Sequence, residues 1–272
     1  MSGASRALLA QVSEIARRAG AEILAEYAAA SGETTFKEDA SPLTRADLRA
    51  HAAIAEALAA LTPDIPLLSE ESAQVPFAVR ARWARHWLVD PLDGTKEFLA
   101  RNGQFTVNIA LIEADTPVLG VVHVPASATT YQGLPGSGAW RDAGGEAPRA
   151  IHVAGHSARA VRVVGSRSHR GDSLDGFLHR LGAHELVAVG SSLKFCLVAE
   201  GAADVYPRLG PTNGWDTAAA HAVAAAAGAT VCALDGTPLR YNTSAQHLNP
   251  YFVVYGARDH DWLALLRQPQ AP

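Results

Sequence analysis

The stretch of sequence that decides the fold is Trp87-Leu88-Val89-Asp90-Pro91-Leu92-Asp93-Gly94-Thr95-Lys96-Glu97-Phe98. Its first three residues are apolar and predict a strand that carries Asp90 to its end, where Pro91 stops the strand. The residues Asp93, Gly94 and Thr95 then predict the start of a helix. We therefore expect a strand, a turn and a helix, with two carboxylates that converge across the turn.

This turn has the chemistry of a site for a divalent cation and a phosphate. Mg²⁺ prefers hard oxygen ligands and keeps positions open for water and substrate phosphate, so Asp90, Asp93 and the backbone carbonyl of Leu92 suit it. The amides of Gly94 and Thr95 can hold a phosphate at the helix N-terminus. Because Asp-Pro-x-Asp-Gly is also ordinary turn chemistry, the turn by itself leaves a purely structural role open.

The composition predicts a folded protein with either one large domain or two fused lobes. Of the 272 residues, 48% are hydrophobic and 18% are charged, and the net charge of −4 disfavours binding to long nucleic acids. Cys196 and Cys232 lie far apart without CxxC spacing, which predicts neither a disulfide framework nor a zinc site, and indicates a reducing, cytoplasmic compartment. The sequence predicts no secretory signal and no transmembrane segment.

The N-terminal half predicts two helices followed by an antiparallel sheet. Apolar residues at helical spacing predict helices over residues 5–29 and 44–60. From residue 86 onward, short β-rich runs separated by Gly, Pro and Asn predict an antiparallel sheet, which continues into a hairpin within residues 131–148. The loose Gly-rich connection that follows indicates a lobe boundary near residue 145, so that residues 1–145 form an N-terminal α+β metal-binding lobe.

The C-terminal half, residues 146–272, alternates strands with helices and predicts an α/β lobe. Strands are expected over residues 162–166 and 185–190. One helix is expected to be capped by Ser191, and another to begin at Trp215 and to end at Gly228. In such a lobe the functional loops lie at strand ends.

Three further acids have both a structural and a functional interpretation. Glu70 follows the apolar run before it and can be a solvated loop acid. Asp216 begins an alanine-rich helix and can be its N-cap. Asp47 follows Thr44 by three residues, the spacing of a capping box. Taken singly, each residue leaves the structural role open.

Taken together, these motifs resemble the inositol monophosphatase superfamily of Mg²⁺-dependent, Li⁺-sensitive phosphatases. The superfamily signatures are similar to Glu70-Glu71, to residues 90–95 (DPLDGT) and to residues 215–219 (WDTAA). The resemblance extends over nearly the whole chain, and residues 166–169 (SRSH) and 190–201 (GSSLKFCLVAEG) are similar to the bacterial 3′(2′),5′-bisphosphate nucleotidases. It implies a layered αβαβα sugar-phosphatase fold with two lobes, of the α+β / α/β class.

The resemblance also implies a catalytic centre with two or three Mg²⁺ ions. The implied metal ligands are Glu70, Asp90, the Leu92 carbonyl, Asp93 and Asp216. The implied catalytic residues are Asp47 and Thr95, which would activate the attacking water, together with Glu70. Lys37 stands at the position of a family lysine near the metals, although an exposed surface lysine is the alternative.

For the nucleotide, the resemblance implies contacts from the second lobe. The implied substrate-binding residues are Gly94, Thr95, His169, Ser191, Lys194, Arg208 and Asp216. We expect Ser191 and Lys194 to share one helical face, as their spacing of three residues requires. Lys194 and Arg208 supply the positive charge that a second phosphate needs. A surface histidine in a polar loop remains the alternative for His169.

The implied activity is hydrolysis of the 3′-phosphate of adenosine 3′,5′-bisphosphate to give AMP, a step that clears a by-product of sulfate assimilation. One alternative is an inositol or sugar phosphate phosphatase with the same metal site. Another is a non-catalytic binding protein on the same fold, which the intact set of carboxylates disfavours. The expected partner is a small nucleotide bisphosphate, and the chain is expected to be a monomer or a homodimer. Relatives are cytoplasmic, and some lie peripherally on the cytoplasmic face of the inner membrane.

Overall fold

The computed structural model describes residues 4–28, 34–36, 42–144, 146–157, 160–166 and 172–267. Its helices are α1 (Arg6–Ala28), α2 (Arg45–Leu61), α3 (Phe77–Arg80), α4 (Thr95–Leu99), α5 (Asp172–Leu181), α6 (Leu193–Ala199), α7 (Gly214–Ala226) and α8 (Trp262–Arg267). Its strands are β1 (Thr34–Phe36), β2 (Pro42–Thr44), β3 (Leu67–Ser69), β4 (Arg85–Asp93), β5 (Thr106–Glu113), β6 (Thr116–Val124), β7 (Thr129–Leu134), β8 (Gly138–Ala143), β9 (Arg149–Ile151), β10 (Val161–Ser166), β11 (His184–Val189), β12 (Val205–Arg208), β13 (Thr230–Ala233) and β14 (Phe252–Tyr255). Short 3₁₀ turns span Glu70–Ser72 and Pro125–Ser127.

Two large sheets organise the described part of the chain. The first has seven strands in the order β3-β4-β5-β6-β7-β8-β9, and its neighbours are antiparallel except for β3, which is parallel to β4. This confirms the predicted antiparallel sheet and hairpin. The second has five strands in the order β11-β10-β12-β14-β13, parallel over its first three strands and antiparallel over the rest.

The strands alternate their side chains between the two faces of the first sheet. In β4, Trp87 and Val89 pack in the cluster formed with α1 and α2, whereas Leu88 packs in the cluster formed with α6 and α7. The helices α6 and α7 lie between the two sheets, and α5 and α8 cover the outer face of the second sheet. The result is helix, sheet, helix, sheet, helix. The predicted layered αβαβα architecture is therefore confirmed.

Helix α7 lies unusually close to the first sheet because two strand residues there have no side chain. A Cβ atom on Gly120 would lie 2.1 Å from the carbonyl oxygen of Ala219, and one on Gly133 would lie 2.4 Å from the Cα atom of Val223. Small residues on both partners let the two backbones approach each other. This contact holds the N-terminus of α7, and with it Asp216, against the sheet that carries Asp90.

The predicted helix boundaries differ from the observed ones at several ends. The first helix begins at Arg6, and Ala29 lies outside the described residues. The second begins at Arg45, because Thr44 pairs with Thr34 in a small antiparallel ladder instead of joining the helix. The lobe boundary near residue 145 stays a prediction, and residue 145 itself lies outside the described residues.

Two predicted caps are wrong. Helix α6 begins at Leu193 with Ser192 as its N-cap, and Ser191 lies outside it with a left-handed φ of 48°. Ser191 therefore neither caps this helix nor shares a helical face with Lys194. Helix α7 begins at Gly214 with Asn213 as its N-cap, so Asp216 is its third residue and not its N-cap. The Asp216 carboxylate still takes part in capping, because its Oδ2 atom accepts a hydrogen bond from the Asn213 amide at 3.0 Å in a capping box.

Candidate active site

The turn after β4 brings both predicted aspartates to one cavity. The strand extends to Asp93 and does not end at Asp90, but its ladder with β5 shifts register between these two residues. Asp90 Oδ1 accepts a hydrogen bond from the Leu92 amide at 3.1 Å, which fixes the turn from within. Gly94 follows with a φ of 91°, a conformation that favours glycine and that lets the chain enter α4. Asp90, Leu92 and Asp93 all line the same cavity.

Three carboxylates from distant parts of the chain meet in this cavity. Glu70 begins the 3₁₀ turn after β3, Asp90 lies on β4, and Asp216 lies in the first turn of α7. One carboxylate oxygen from each lies within 4.8 Å of the other two. A set of oxygen ligands at this spacing fits a hard divalent cation. The fourth predicted acidic ligand, Asp93, lines the cavity beside this group.

Burial and mutual repulsion make this group costly to ionise without a cation. Burial, followed by the charges of Glu70 and Asp93, raises the pKa of Asp90 well above its ordinary value. The same causes, burial first, raise the pKa of Asp216 to about 8. A bound cation would remove this penalty, because it compensates the charges that the cavity concentrates. The donor chemistry and the electrostatics therefore both fit a metal centre.

Asp93 is held in place by donors from β5 and from the residue that caps α6. Its Oδ2 atom accepts hydrogen bonds from Ser192 Oγ at 2.9 Å, Asn108 Nδ2 at 3.4 Å and Thr106 Oγ1 at 3.5 Å. Burial raises the pKa of Asp93, while Lys194 and the hydroxyl of Ser192 oppose that increase. These donors orient one oxygen of the carboxylate and favour its charged form.

Asp47 and Thr95 approach the centre from different elements. Asp47 lies in the first turn of α2 and is 1% exposed, and its charge contributes to the raised pKa of Asp90. Thr95 is the first residue of α4 and lines the cavity. The predicted capping partner of Asp47, the side chain of Thr44, lies outside what the structure describes. The joint role of Asp47 and Thr95 in activating water stays a prediction.

The cavity has a volume of about 290 Å³ and joins the acidic group to a basic one. Lys194 is 7% exposed, its Nζ atom donates a hydrogen bond to the carbonyl oxygen of Ser191 at 2.6 Å, and burial lowers its pKa to about 8 although Asp93 opposes that decrease. Arg208 is the last residue of β12, and its guanidinium donates a hydrogen bond to the carbonyl oxygen of Pro211. The residues that line the cavity are Glu70, Asp90, Leu92, Asp93, Gly94, Thr95, Lys96, Glu97, Gly190, Ser191, Ser192, Lys194, Phe195, Tyr206, Arg208, Thr212, Asn213, Asp216 and Thr217.

Several cavity residues were not singled out by the sequence. Ser192 contacts Asp93, and its only sequence signal is its position next to Ser191. Glu97 lines the cavity and lies against Gly190, where an added Cβ would come within 2.6 Å of Glu97 Cγ. Tyr206 faces Lys194, whose Nζ atom lies 5.7 Å from the centre of the Tyr206 ring. No motif marks Tyr206 as part of the site.

Two predicted residues fall outside the described part of the chain. His169 and Lys37 both lie there, so their predicted contacts with nucleotide and metal stay predictions.

Among the described helices, none combines the length and the apolar character that a membrane crossing requires.

Comparisons with known proteins agree on one family. The sequence matches the model of the inositol monophosphatase family over residues 5–266. It is 52% identical over 248 residues to the 3′(2′),5′-bisphosphate nucleotidase CysQ of Salmonella typhimurium, which covers 91% of this chain and 99% of that protein. The corresponding protein of Escherichia coli K12 is 51% identical over the same lengths.

Solved structures give the same result. The structure of CysQ from Bacteroides thetaiotaomicron, described as a bacterial member of the inositol monophosphatase family, superposes with a TM-score of 0.80 at 40% identity and covers 93% of this chain and 98% of that one. The extragenic suppressor protein suhB from Bartonella henselae has a TM-score of 0.78 at 24% identity, with 96% and 97% coverage, and shares the fold. With the layered fold, the acidic cluster and a match that spans nearly all of its length, this chain belongs to the inositol monophosphatase family.

Proposed function

We propose that this chain is a Mg²⁺-dependent 3′(2′),5′-bisphosphate nucleotidase that hydrolyses adenosine 3′,5′-bisphosphate to AMP and phosphate. The observation that carries the proposal is the single cavity that joins a cluster of three carboxylates to two basic side chains, Lys194 and Arg208. A reacting phosphate suits the acidic end when a metal is bound, and a second phosphate suits the basic end. The CysQ proteins of Salmonella typhimurium and Escherichia coli K12, which are 52% and 51% identical to this chain, carry this activity in their name.

The residues that would hold the metal are Glu70, Asp90, the Leu92 carbonyl, Asp93 and Asp216. Their donors are all oxygen atoms, which favours Mg²⁺ over metals that prefer nitrogen or sulfur. We propose two or three ions, since the four carboxylates exceed what one ion needs when water and phosphate also bind. When bound, Mg²⁺ supplies charge that stabilises the phosphoryl group and lowers the pKa of water.

The chain itself orients the water and the reacting phosphate. In the proposal, Asp47 and Thr95 bind the attacking water, and the proton that the water loses passes through the Thr95 hydroxyl to the Asp47 carboxylate, assisted by Glu70. The amides of Gly94 and Thr95 donate to the phosphate oxygens. The water oxygen forms a bond to phosphorus, the bond to the ribose 3′-oxygen breaks, and that oxygen takes up a proton to give the hydroxyl of AMP.

The other end of the cavity holds the remainder of the nucleotide. Lys194 and Arg208 would pair with the 5′-phosphate, and Ser191 and His169 would donate to the sugar or the phosphate. Ser191 Oγ is buried without a hydrogen-bond partner, so a ligand that reaches it would satisfy a donor and acceptor that the protein leaves open. This supports a role for Ser191 although it does not lie on the helix with Lys194.

The same proposal assigns a cellular setting. The substrate is a small molecule that arises in sulfate assimilation, and Cys196 and Cys232 are both free, as expected in a reducing cytoplasm. The peripheral association with the inner membrane that the resemblance implied finds no support in the comparisons. We propose that the chain is a monomer or a homodimer.

The deciding experiment compares three substrates side by side. Phosphate release is measured from adenosine 3′,5′-bisphosphate, inositol 1-phosphate and fructose 1,6-bisphosphate, with Mg²⁺ and with EDTA, for the wild-type protein and for Asp93→Asn. We expect kcat/KM to favour the nucleotide by tenfold or more, which corresponds to about 1.4 kcal/mol. EDTA and Asp93→Asn should each abolish release.

The other outcomes distinguish the alternatives. A preference for inositol or sugar phosphate would keep the metal centre and reject the nucleotide assignment. Robust turnover by Asp93→Asn would reject the metal mechanism. If none of the three substrates is hydrolysed in the presence of Mg²⁺, the non-catalytic alternative becomes the better account.

A further inference from the structure

A second cavity lies behind the N-terminus of α7, apart from the active-site cavity. Its volume is about 60 Å³. It is bounded by Leu88 of β4, by Gly214 and Trp215 of α7, by Arg80 at the end of α3 and by the loop of residues 240–250. The described residues that line the two cavities have no member in common.

The distinctive residue of this cavity is Arg80, which is 1% exposed. Its guanidinium donates to the side-chain oxygen of Asn242 and, at 2.7 Å, to the carbonyl oxygen of Ala245, and it lies 4.9 Å from the centre of the Phe77 ring. All of these partners are neutral. Among the described residues no carboxylate forms an ion pair with Arg80, and burial lowers the pKa of its guanidinium with no charged group to oppose that decrease. A buried charge of this kind costs stability unless an anion compensates it.

Two N–H donors at this cavity also lack acceptors. Arg80 Nε and Trp215 Nε1 are both buried and neither has a hydrogen-bond partner. Trp215 is 6% exposed, and its ring is held by His247, whose ring centre lies 4.8 Å away. Buried donors are almost always satisfied in folded proteins. An acceptor bound in this cavity, which both residues line, is placed to satisfy the two donors.

The other residues around the cavity leave this positive charge unopposed. Its lining contains no Asp or Glu. Arg240, the second basic residue of the lining, is already paired with Asp115 at 2.9 Å. Burial and the charge of Arg80 lower the pKa of His247, which favours its neutral form. The cavity lining therefore carries about one uncompensated positive charge, that of Arg80.

We propose that this cavity binds one small monovalent inorganic anion of the chloride class. A volume of about 60 Å³ accommodates an ion of this size together with water. One uncompensated guanidinium matches one negative charge, and the two unsatisfied N–H groups supply the donors that a halide accepts. The bound anion would tie α3, β4 and the first turn of α7 together, next to the position from which Asp216 enters the active site.

Diffraction from wild-type crystals grown in sodium bromide is the direct test. We expect an anomalous peak for bromide within contact distance of Arg80 Nε and Trp215 Nε1. Crystals grown without bromide show whether the peak depends on the halide. A cavity that contains only water in the bromide crystals overturns the proposal.

Thermal unfolding provides an independent test in solution. The melting temperature of the EDTA-treated wild-type protein is measured against sodium chloride, with sodium gluconate at the same ionic strength as the control for a large anion. Chloride should raise Tm in a saturating manner by about 2–4 °C relative to gluconate. Equal curves in the two salts contradict a specific site.

Variants connect this effect to the cavity. Arg80→Gln removes the charge, and Trp215→Phe removes the indole N–H while it keeps a smaller aromatic ring, so both should lose the chloride-specific rise. The matched control is Arg82→Gln, which removes the same charge from an exposed position two residues away and should keep the full rise. If Arg80→Gln does not fold, Trp215→Phe decides the question. A full chloride effect in Trp215→Phe rejects the assignment of the anion to this cavity.

Discussion

Ser192 Oγ donates a hydrogen bond to Asp93 Oδ2 at 2.9 Å. A residue at the start of α6 therefore orients the carboxylate of β4 that is a predicted metal ligand. The same hydroxyl lies 2.5 Å from the carbonyl oxygen of Asp216 and accepts a hydrogen bond from Asn108 Nδ2 at 2.9 Å. One side chain thus links the two acids that come from opposite sides of the cavity. Ser192 is therefore a positioning residue for the proposed metal centre.

Ser192→Ala should weaken the metal centre without unfolding the protein. The loss of the hydroxyl leaves Asp93 less well oriented, and such changes around a metal site cost about 10- to 100-fold in affinity or activity. We expect the Mg²⁺ concentration for half-maximal activity to rise by this factor. Ser137→Ala, at an exposed turn, is the control and should match wild type. An unchanged Mg²⁺ requirement in Ser192→Ala would show that Asp93 does not depend on it.

Asp90→Asn should separate stability from metal binding. In the metal-free protein the substitution removes a buried charge that Glu70 and Asp93 repel, so Tm at pH 8 should equal or exceed that of wild type. Mg²⁺ should raise the Tm of wild type and have no effect on Asp90→Asn, because a ligand is missing. Asp64→Asn, on the surface, should keep the wild-type response. A full Mg²⁺ shift in Asp90→Asn would contradict the assignment of Asp90 as a ligand.

Lys194→Met should affect nucleotide bisphosphate more than monophosphate. The buried ammonium group is placed to pair with the phosphate that is not hydrolysed, so its loss should raise KM for the bisphosphate by about tenfold or more, and kcat should change less. Inositol 1-phosphate, which has one phosphate, is the internal control. Equal losses for the two substrates would reject Lys194 as an anchor for the second phosphate.

Gly120→Ala should destabilise the protein and disturb the site from a distance. The new Cβ would lie 2.1 Å from the carbonyl oxygen of Ala219, so α7 must move away from the sheet. Forced overpacking of this kind costs about 1–3 kcal/mol of unfolding free energy, measured by urea denaturation. Gly155→Ala, where an added Cβ meets nothing within 4 Å, is the control. We expect lower Mg²⁺ affinity as well, since Asp216 moves with the helix.

The buried His123 should make stability depend on pH below neutrality. Burial, followed by the charge of Arg17, lowers its folded-state pKa to about 4, whereas an unfolded histidine titrates near 6.5. Between these values the unfolded chain binds more protons, so this contribution to stability is complete above about pH 7 and is lost as the pH falls. Relative to His123→Gln, wild type should lose about 1.4 kcal/mol between pH 7.5 and pH 5.5. A difference that stays constant over this range would contradict the lowered pKa.

The local patterns that predicted the fold correctly are those that depend on near neighbours. The apolar run of Trp87, Leu88 and Val89 predicts a strand, and the structure confirms that strand and places these side chains in two different core clusters. Helix ends were less predictable. Thr44 was predicted to begin the second helix, but it pairs with Thr34 in an antiparallel ladder. Sequence spacing does not reveal this contact.

The candidate site likewise contains residues that the sequence predicts and residues that only the packing brings together. The acids Glu70, Asp90, Asp93 and Asp216 lie in sequence motifs, and the family resemblance by itself assigns all four to one metal centre. Ser192 and Tyr206 have no such signal, because they reach the cavity only when α6 and β12 pack beside β4. Glu97 lies on α4, directly after the motif, and was not assigned to the site. Ser191, which the resemblance assigned to the site, does line the cavity, but the expectation that it shares a helical face with Lys194 is wrong, since its left-handed backbone lies before α6.

The sequence by itself determined which acids are candidates for a metal centre and most of the strands and helices around them, because residue type, periodicity and turn composition act over a few neighbouring positions. Only the tertiary structure decided which of these residues meet. Asp90 and Asp216 are 126 positions apart in sequence, and they share a cluster because Gly120 and Gly133 let α7 lie directly on the first sheet. The unpaired charge of Arg80 was likewise decided by packing, since burial depends on what the folded chain places around a side chain and no short motif records it.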